Sequence, residues 1–206
     1  MATAYLFDLD GTLLDSKGDL ADAANAARAA LGLAALPDAE VERHTGWGMA
    51  ALLRGVLPEA DAAGLESARE VFVRHYRTHL TSRSRPYPGV AEMFRALAGH
   101  PKGLVTNKPS MFGEPLLAEL GWTTHFDVRV FGDTTAARKP DPAPLLHAVS
   151  ALGCSRADCV YVGDTPIDQE TAAAAGVRFV CVAWGRAAAD AASRIDDLAR
   201  LAERFP

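Results

Sequence analysis

The sequence predicts an α/β fold, in which a parallel sheet carries helices on both faces and a small all-helical cap follows the first strand. Two observations support this prediction. Short apolar runs rich in β-branched or aromatic residues alternate with helical patterns along most of the chain, and strands that alternate with helices through short links form parallel sheets. One long segment interrupts the alternation with helical patterns alone, which indicates an insertion into the α/β core.

The first predicted strand, residues 4–7, runs directly into two carboxylates, Asp8 and Asp10. Charged side chains so close together repel each other and are costly to desolvate beside a buried strand. Something must therefore compensate their charge. Gly11 follows the pair, and it allows the chain to turn sharply and to present backbone N–H groups to an anion such as phosphate.

The segment of residues 17–85 contains helical patterns and no predicted strand. The patterns occupy residues 19–31, 48–57 and 61–80. The first of them places small and apolar side chains on one face, namely Leu20, Ala23, Ala24, Ala27 and Leu31. A stretch rich in proline at residues 85–89 marks the return to alternation. We therefore predict an α/β core of residues 1–16 and 86–206 and a helical cap of residues 17–85.

The remaining elements alternate again. The predicted strands comprise residues 103–105, 128–131, 159–162 and 178–182. The predicted helices comprise residues 89–98, 110–120, 142–152 and 166–175. Each of these helices has apolar residues at helical spacing, and each ends near a glycine, which is the residue that most readily adopts the left-handed conformation found after helices.

Composition and charge exclude several classes of partner. The formal net charge is −5, so we expect no general attraction to nucleic acid or to an anionic membrane. No run approaches the ~18 apolar residues of a membrane span, and the first residues do not resemble a signal peptide. We predict a cytoplasmic protein whose three cysteines are reduced. A monomer is the default expectation, and a dimer stays open.

Polar residues follow the later predicted strands as well. Thr106 and Asn107 follow the second strand, Lys139 follows the third after a short loop, and Asp164 and Asp168 follow the fourth. Ligands of open α/β sheets bind beyond the carboxyl ends of the strands. We therefore expect these five side chains to lie at one edge of the sheet, near the two carboxylates that follow the first strand.

Asp8, Asp10 and Asp164 together predict a metal site. Carboxylates with few other ligands form a hard-oxygen site that suits Mg²⁺, and no histidine or cysteine cluster accompanies them, so zinc is not expected. A carboxylate beside Mg²⁺ and Lys139 stays ionised and can act as a nucleophile that forms an aspartyl-phosphate. A neighbouring carboxyl can transfer protons, while Thr106 and similar neutral donors suit phosphoryl oxygens.

Four stretches resemble, in order, the motifs of the haloacid dehalogenase superfamily. They are DLDGT at residues 8–12, Thr106-Asn107, Lys139-Pro140 and GDTPID at residues 163–168. The resemblance covers nearly the whole chain and implies a Rossmann-like core. The helical insertion is similar to the C1 cap of that superfamily. The GWG stretch at residues 46–48 and the overall length are most similar to the phosphoglycolate phosphatase-like subgroup.

The resemblance implies a role for each matching residue. Asp8 would be the nucleophile and a metal ligand, and Asp10 the general acid and base whose backbone carbonyl also binds the metal. Lys139 would pair with Asp8, and Asp164 would be an acidic metal ligand. The remaining matches would bind the phosphoryl group, namely Thr106, Asn107 and the Gly11 turn.

Two residues have simpler interpretations beside the functional ones. The resemblance implies that Asp168 orients a metal-bound water or Lys139, but Asp168 also stands where it would complete a capping box with Thr165 at the start of a helix. Lys108 extends the Thr106-Asn107 pair, and we expect it at the protein surface.

A C1 cap implies a small phosphomonoester as substrate, and phosphoglycolate suits the resemblance. Its carboxylate would need a cation from the cap, so Arg43, His44 and Arg54 are candidate contacts, and Trp47 between two glycines is a candidate for a loop that closes over the site.

Two other functions stay open. The first is a sugar-phosphate mutase of the β-phosphoglucomutase type. Mutases of this type carry a cap histidine ten residues after the second aspartate, where this chain has Leu20, and they tend to have DGV where this chain has Gly11-Thr12. The second is a catalytically silent regulatory or binding protein on the same fold, which the presence of all four motifs disfavours.

Overall fold

The computed structural model describes residues 3–206, and a six-stranded sheet forms its centre. The strands of the chain are β1 (Ala4–Phe7), β2 (Leu14–Asp15), β3 (Arg85–Pro86), β4 (Lys102–Val105), β5 (Val128–Val130), β6 (Cys159–Gly163), β7 (Arg178–Val182) and β8 (Arg194–Ile195). The order across the sheet is β5-β4-β1-β6-β7-β8. Every neighbouring pair in it is parallel, whereas β2 and β3 form a separate antiparallel pair.

The helices divide into two groups. The first group lies between β2 and β3 and comprises α1 (Lys17–Ala30), α2 (Asp38–Glu42), α3 (Met49–Val56) and α4 (Ala62–Thr78); we call these four the cap helices. The second group accompanies the sheet and comprises α5 (Val90–Ala96), α6 (Ser110–Glu119), α7 (Ala143–Ala151), α8 (Pro166–Ala175) and α9 (Leu201–Arg204). The predicted α/β class is therefore confirmed.

The alternation of side chains along β1 divides the core into two layers. Tyr5 and Phe7 pack into one hydrophobic cluster, and Ala4 and Leu6 pack into another, because successive side chains of a strand point to opposite faces of the sheet. Helices α5, α6 and α9 contribute to the first cluster, and α7 and α8 contribute to the second. The buried side chains of the cap helices continue the first cluster, so they share its apolar interior.

Several elements differ from the prediction. Helix α2 and strands β2, β3 and β8 were not predicted, and β3 starts at Arg85, inside the segment for which no strand was expected. Ala23, Ala24 and Ala27 of α1 are buried, while Leu20 of α1 and Leu31, the residue that follows it, are half-buried and pack at the edge of the cluster. Small alanines allow α1 to lie closely along α4, which is its main neighbour among the cap helices.

Asp19 of α1 ties together the two connections between the cap helices and the sheet. Its side chain is fully buried. It accepts hydrogen bonds from the backbone N–H groups of Arg83 (2.9 Å) and Ser84 (2.7 Å) and from the Ser84 hydroxyl (2.6 Å). Residues 83 and 84 return the chain to β3. The start of α1 and the end of the cap segment are therefore fixed to each other by one carboxylate.

Two further expectations concern the chain as a whole. In the described residues, no helix is long and apolar enough to cross a membrane. The three cysteines form no disulfide with one another, and Cys159 and Cys181 are buried while Cys154 is half-buried.

We expect Asp19→Ala to lower the free energy of unfolding by about 3 kcal/mol, because two backbone N–H groups and a hydroxyl lose their acceptor in a buried position. The matched control is Asp22→Ala on the same helix, which removes an exposed ion pair with Arg83 and should cost less than about 1 kcal/mol. Urea unfolding of both variants measures the difference. Equal losses in the two variants would contradict the role assigned to Asp19.

Candidate active site

A cavity of about 80 Å³ lies at the carboxyl ends of β1 and β6. The chain runs from β1 outward through β4 to β5 and then crosses back to β6 on the other side of β1, and ligands of open α/β sheets bind at such a switch point. The loops after β1, β4 and β6 supply the polar wall of the cavity. The cap helices supply an apolar wall, which consists of Leu20, Met49, Leu52, Phe72 and Tyr76.

Lys139 lies beside this cavity with its ammonium group held between two carboxylates. Its Nζ donates to Asp8 Oδ1 at 2.8 Å, to Asp168 Oδ1 at 2.7 Å and to the Tyr161 hydroxyl at 2.8 Å. These three bonds use all three hydrogens of the ammonium group. The four side chains are buried, and the two ion pairs are therefore little screened by solvent.

Burial and mutual electrostatic interactions shift the pKa values of the buried carboxyl groups around Lys139. Burial raises the pKa of Asp8 to about 7, an increase that Lys139 limits and Asp168 augments. Burial, with repulsion from Asp168 and Asp8, also raises the pKa of Asp164 well above its usual value. Burial disfavours the ionised form of Asp168 too, but Lys139 and hydrogen bonds from Lys139 and Thr165 outweigh it, so its pKa lies below the usual value. When ionised, the three carboxylates together carry more negative charge than the single ammonium group of Lys139 compensates.

The carboxylates around Lys139 fit a divalent cation. One oxygen each from Asp8, Asp164 and Asp168 lies within 4.8 Å of the others. Both oxygens of Asp168 already accept bonds from Lys139, Tyr161 and Thr165. Asp8 and Asp164 each accept through Oδ1 alone, from Lys139 and Thr12. No fully buried side-chain N or O atom of the described residues lacks a hydrogen-bond partner. The second oxygens of Asp8 and Asp164, which have no such partner, must therefore be accessible, and both residues line the cavity. Carboxylate oxygens of this kind suit a hard divalent cation.

Asp10 is bound by a different cation. Lys108 donates to both of its carboxylate oxygens, at 2.8 and 2.9 Å, and to the Tyr76 hydroxyl of α4 at 2.7 Å. The Ser16 hydroxyl at the start of α1 donates to Asp10 Oδ1 at 2.5 Å. The surface position expected for Lys108 is therefore wrong, because its side chain is buried between a carboxylate of the loop after β1 and a tyrosine of the cap helices.

The turn after Asp10 brings the loop against Asp164. Gly11 has φ +87°, and a Cβ at this position would lie 2.4 Å from Asp164 Oδ2. Only glycine therefore combines this backbone conformation with the close approach. The Trp184 indole N–H donates to the Gly11 carbonyl at 2.9 Å, and Tyr87 stacks on the Trp184 ring, so the turn is supported from the side of β7.

Thr106 and Asn107 both line the cavity, as expected. The Asn107 amide also joins three segments. Its Nδ2 donates to the Lys139 carbonyl at 2.9 Å and to the Gly46 carbonyl at 3.0 Å, and its Oδ1 accepts from the Lys139 backbone N–H at 3.0 Å. This side chain holds the Lys139 loop to β4 and fastens the loop between α2 and α3 to the core.

Asp168 makes the contacts of the capping box and also contacts Lys139. Its Oδ2 accepts from the Thr165 backbone N–H at 3.0 Å while the Thr165 hydroxyl accepts from the Asp168 N–H, which completes the capping box of α8. Its Oδ1 bonds to Lys139. The helix start therefore fixes the carboxylate that positions Lys139.

The four cap residues selected from the sequence lie away from the cavity lining. Arg43 is paired with Glu40 at 2.8 Å, Trp47 and Arg54 are exposed, and His44 packs beside Gly55 of α3. The structure brings none of the four into the wall of the cavity within the described residues.

Three aromatic residues that contact the site were not singled out from the sequence: Tyr76, Tyr161 and Trp184. Lys108 was considered because it adjoins the Thr106-Asn107 pair, but it was assigned to the surface. The three aromatic residues lie in ordinary apolar patterns, and their polar atoms gain a role only from partners that are distant in sequence.

Comparison with known proteins places these residues in a family. The family model described as "Haloacid dehalogenase-like hydrolase" matches residues 5–182. The chain is 43% identical over 182 residues to a phosphoglycolate phosphatase of Xylella fastidiosa, a match that covers 87% of this chain and 80% of that protein. It is 40% identical over 192 residues to a phosphoglycolate phosphatase of Chromobacterium violaceum, covering 89% and 86%.

The solved structures agree in fold. A "predicted phosphoglycolate phosphatase" of Haemophilus somnus 129PT is similar with a TM-score of 0.92 and 27% sequence identity, over 100% of this chain and 98% of that chain.

The raised pKa values predict how stability depends on pH. A carboxyl whose pKa is higher in the folded than in the unfolded state stabilises the fold at low pH, and this contribution disappears as the pH rises through the folded pKa. For Asp8 the window runs from the usual 3.8 to about 7. We expect the metal-free protein to lose about 2–4 kcal/mol of stability across this window, and a divalent cation to restore stability above it.

Thermal unfolding with and without Mg²⁺, from acid to neutral pH, measures this effect. Asp8→Asn serves as the comparison, because it removes the titrating group and should show a smaller pH dependence and a smaller gain from the cation. A wild-type profile that is flat across the window, or a cation effect that does not grow with pH, would contradict the charge balance described here.

Proposed function

The chain is a phosphatase of the haloacid dehalogenase-like hydrolase family, and we propose that it hydrolyses phosphoglycolate or a similarly small phosphomonoester through an aspartyl-phosphate on Asp8, with Mg²⁺ as cofactor. The observation that carries this proposal is the environment of Asp8. One oxygen of its buried carboxylate is held by Lys139, and the other opens to a cavity that the cap helices cover.

Asp8 supplies the nucleophile in this proposal. Lys139 fixes the orientation of the carboxylate and compensates part of its charge, and Asp168 holds Lys139 from the other side. The free oxygen of Asp8 forms a bond to phosphorus while the bond from phosphorus to the alcohol oxygen of the substrate breaks. The products of this step are an aspartyl-phosphate and the leaving alkoxide.

Asp10 transfers the protons. It lines the same cavity, and Lys108 and Ser16 hold its carboxylate in place. In its protonated form it gives a proton to the leaving alkoxide. It then takes a proton from the water that attacks the phosphorus of the aspartyl-phosphate, which releases phosphate and regenerates Asp8. Thr106 and the backbone around Gly11 bind phosphoryl oxygens in this proposal, since both line the cavity.

Asp8 and Asp164 are the proposed metal-binding side chains, together with the backbone carbonyl of Asp10. A bound Mg²⁺ would offset the negative charge of the carboxylates and of the phosphoryl group. Asp168 is not a ligand in this proposal, because its two oxygens are occupied by Lys139, Tyr161 and Thr165.

The size of the cavity and the relatives support the choice of substrate. The cavity of about 80 Å³ admits a small molecule, and the relatives from Xylella fastidiosa and Chromobacterium violaceum are named phosphoglycolate phosphatases. Leu20 of α1 lines the cavity, at the position where the mutase type carries a histidine. Because a leucine side chain cannot transfer a proton, this lining favours water over a sugar hydroxyl as the final acceptor.

Phosphate release from a panel of small phosphomonoesters tests the proposal. We expect activity with Mg²⁺ that a chelator abolishes, and a loss of about 10⁴-fold or more in kcat for Asp8→Asn. Asp196→Asn, which changes an exposed aspartate with a weak ion pair, should match the wild type. Activity that persists in Asp8→Asn would overturn the aspartyl-phosphate mechanism, and an inert wild type would favour the mutase or the silent alternative.

A further inference from the structure

One cation at the cavity has no acidic partner. Lys17 and Lys108 line the cavity, and Lys139 lies beside it, but each is 2.8 Å from a carboxylate oxygen, of Glu42, Asp10 and Asp8 respectively. Arg186 also lines the cavity and is exposed. Its guanidinium makes no ion pair or hydrogen bond with any of residues 3–206 that the structure describes. Arg186 therefore keeps its full charge for a ligand.

The backbone holds Arg186 close to the reacting groups. Its N–H donates to the Asp164 carbonyl, as does the N–H of Ala187 at 3.0 Å. The preceding Gly185 packs so tightly that a Cβ there would lie 2.7 Å from the Asp164 Cα. The loop after β7 is thus fastened to the loop that carries a proposed metal ligand. Arg186 belongs to the sheet side of the cavity, so its place does not depend on the cap helices.

The charges of the groups around the cavity indicate that Arg186 is available to bind an anionic group of the substrate. The acidic groups in and beside the cavity are Asp8, Asp10, Glu42, Asp164 and Asp168, and Lys17, Lys108 and Lys139 oppose them. A divalent cation would balance the remaining excess of negative charge. The phosphoryl group and any second anionic group of the substrate would then both add uncompensated negative charge, and Arg186 is the cation of the lining that no acidic group of the described residues pairs with.

We propose that Arg186 determines specificity by binding the carboxylate of a carboxylated phosphomonoester. This proposal rests on the proposed function and names the residue that selects its substrate class. A guanidinium matches a carboxylate with two parallel hydrogen bonds, which a neutral alcohol substituent cannot accept in the same way. The proposal moves this task from the arginines of the cap helices, since Arg43 is paired with Glu40 and Arg54 lies outside the cavity lining.

The test compares phosphoglycolate with 2-hydroxyethyl phosphate, which has nearly the same size and lacks the carboxylate. We expect Arg186→Gln to lower kcat/KM for phosphoglycolate by about 10- to 100-fold, mainly through KM, and to change that for 2-hydroxyethyl phosphate by less than about twofold. Arg156→Gln is the matched control, because it removes the same charge from an exposed site just before β6, at the opposite edge of the sheet. It should retain the wild-type preference.

Binding provides a second readout that does not depend on turnover. In the Asp8→Asn background, the Kd for phosphoglycolate should rise by a similar factor when Arg186→Gln is added, and Arg186→Lys should recover part of the affinity. Because Arg186 is exposed, added salt should weaken the binding of phosphoglycolate more in the protein with Arg186 than in the Gln variant.

The outcomes separate the two proposals. A wild type that hydrolyses neither compound overturns the proposed function and this assignment with it. A wild type that hydrolyses phosphoglycolate while Arg186→Gln changes both compounds equally, or neither, overturns the assignment of Arg186 alone. Selective loss in Arg54→Gln instead of Arg186→Gln would return carboxylate recognition to the cap helices.

Discussion

The buried ion pairs of Lys139 are the constraint on which the rest of the site depends. One ammonium group compensates Asp8 and Asp168 in a position from which solvent is almost excluded, and it does so while Tyr161 satisfies its third hydrogen. Burying such a group costs several kcal/mol per ion, and an apolar replacement is often neutral or stabilising. The arrangement is therefore better explained by the reaction than by stability. Local hydrogen bonds hold these charged groups in position. The capping box of α8 fixes the Asp168 carboxylate, and two hydrogen bonds from the Asn107 amide fix the Lys139 backbone.

The second constraint is that Asp10, the proposed proton-transferring group, and the cap helices are held together. The Asp10 carboxylate accepts a hydrogen bond from Ser16, the residue just before α1. It is also linked to α4 through Lys108, which donates to both Asp10 and the Tyr76 hydroxyl. Burial raises the pKa of Tyr76 to about 12, so its hydroxyl stays neutral beside the ammonium group. The Asp10 carboxylate is thus bound directly to Ser16 before α1 and linked to α4 through Lys108. A displacement of the cap helices would change the surroundings of Asp10 directly, whereas the contacts of the Asp8 carboxylate come from Lys139 on the sheet side.

Much of this could be predicted from the sequence, and the misses have physical reasons. The strands of the sheet and their neighbouring helices carry periodic apolar patterns, and the polar residues at the strand ends follow from the rule for ligand sites in open sheets. Helix α2 has five residues, and β2, β3 and β8 have two each, so none is long enough to show a period. Lys108 was misjudged because its two partners are 98 and 32 residues away. The cap residues were chosen by residue type, and type alone does not determine which side chains of the loop between α2 and α3, or of α3, reach the cavity.

The two sides of the cavity differ in chemical character, and this difference follows from the contacts described above. In our proposals, the loops of the sheet side contribute the groups that meet the phosphoryl group, the cation and the carboxylate of the substrate. The cap helices contribute a largely apolar wall, with Leu20, Met49, Leu52 and Phe72 facing the same space. Apolar walls lower the local dielectric and so strengthen the electrostatic interactions across the cavity, and they exclude surplus water. In these proposals, recognition of the substrate's charge belongs mainly to the sheet side, although Lys17 of α1 and Glu42 of α2 also line the cavity, and size selection belongs to the cap helices. Exchanges among the apolar wall residues should alter which esters fit without altering how the phosphoryl group is transferred.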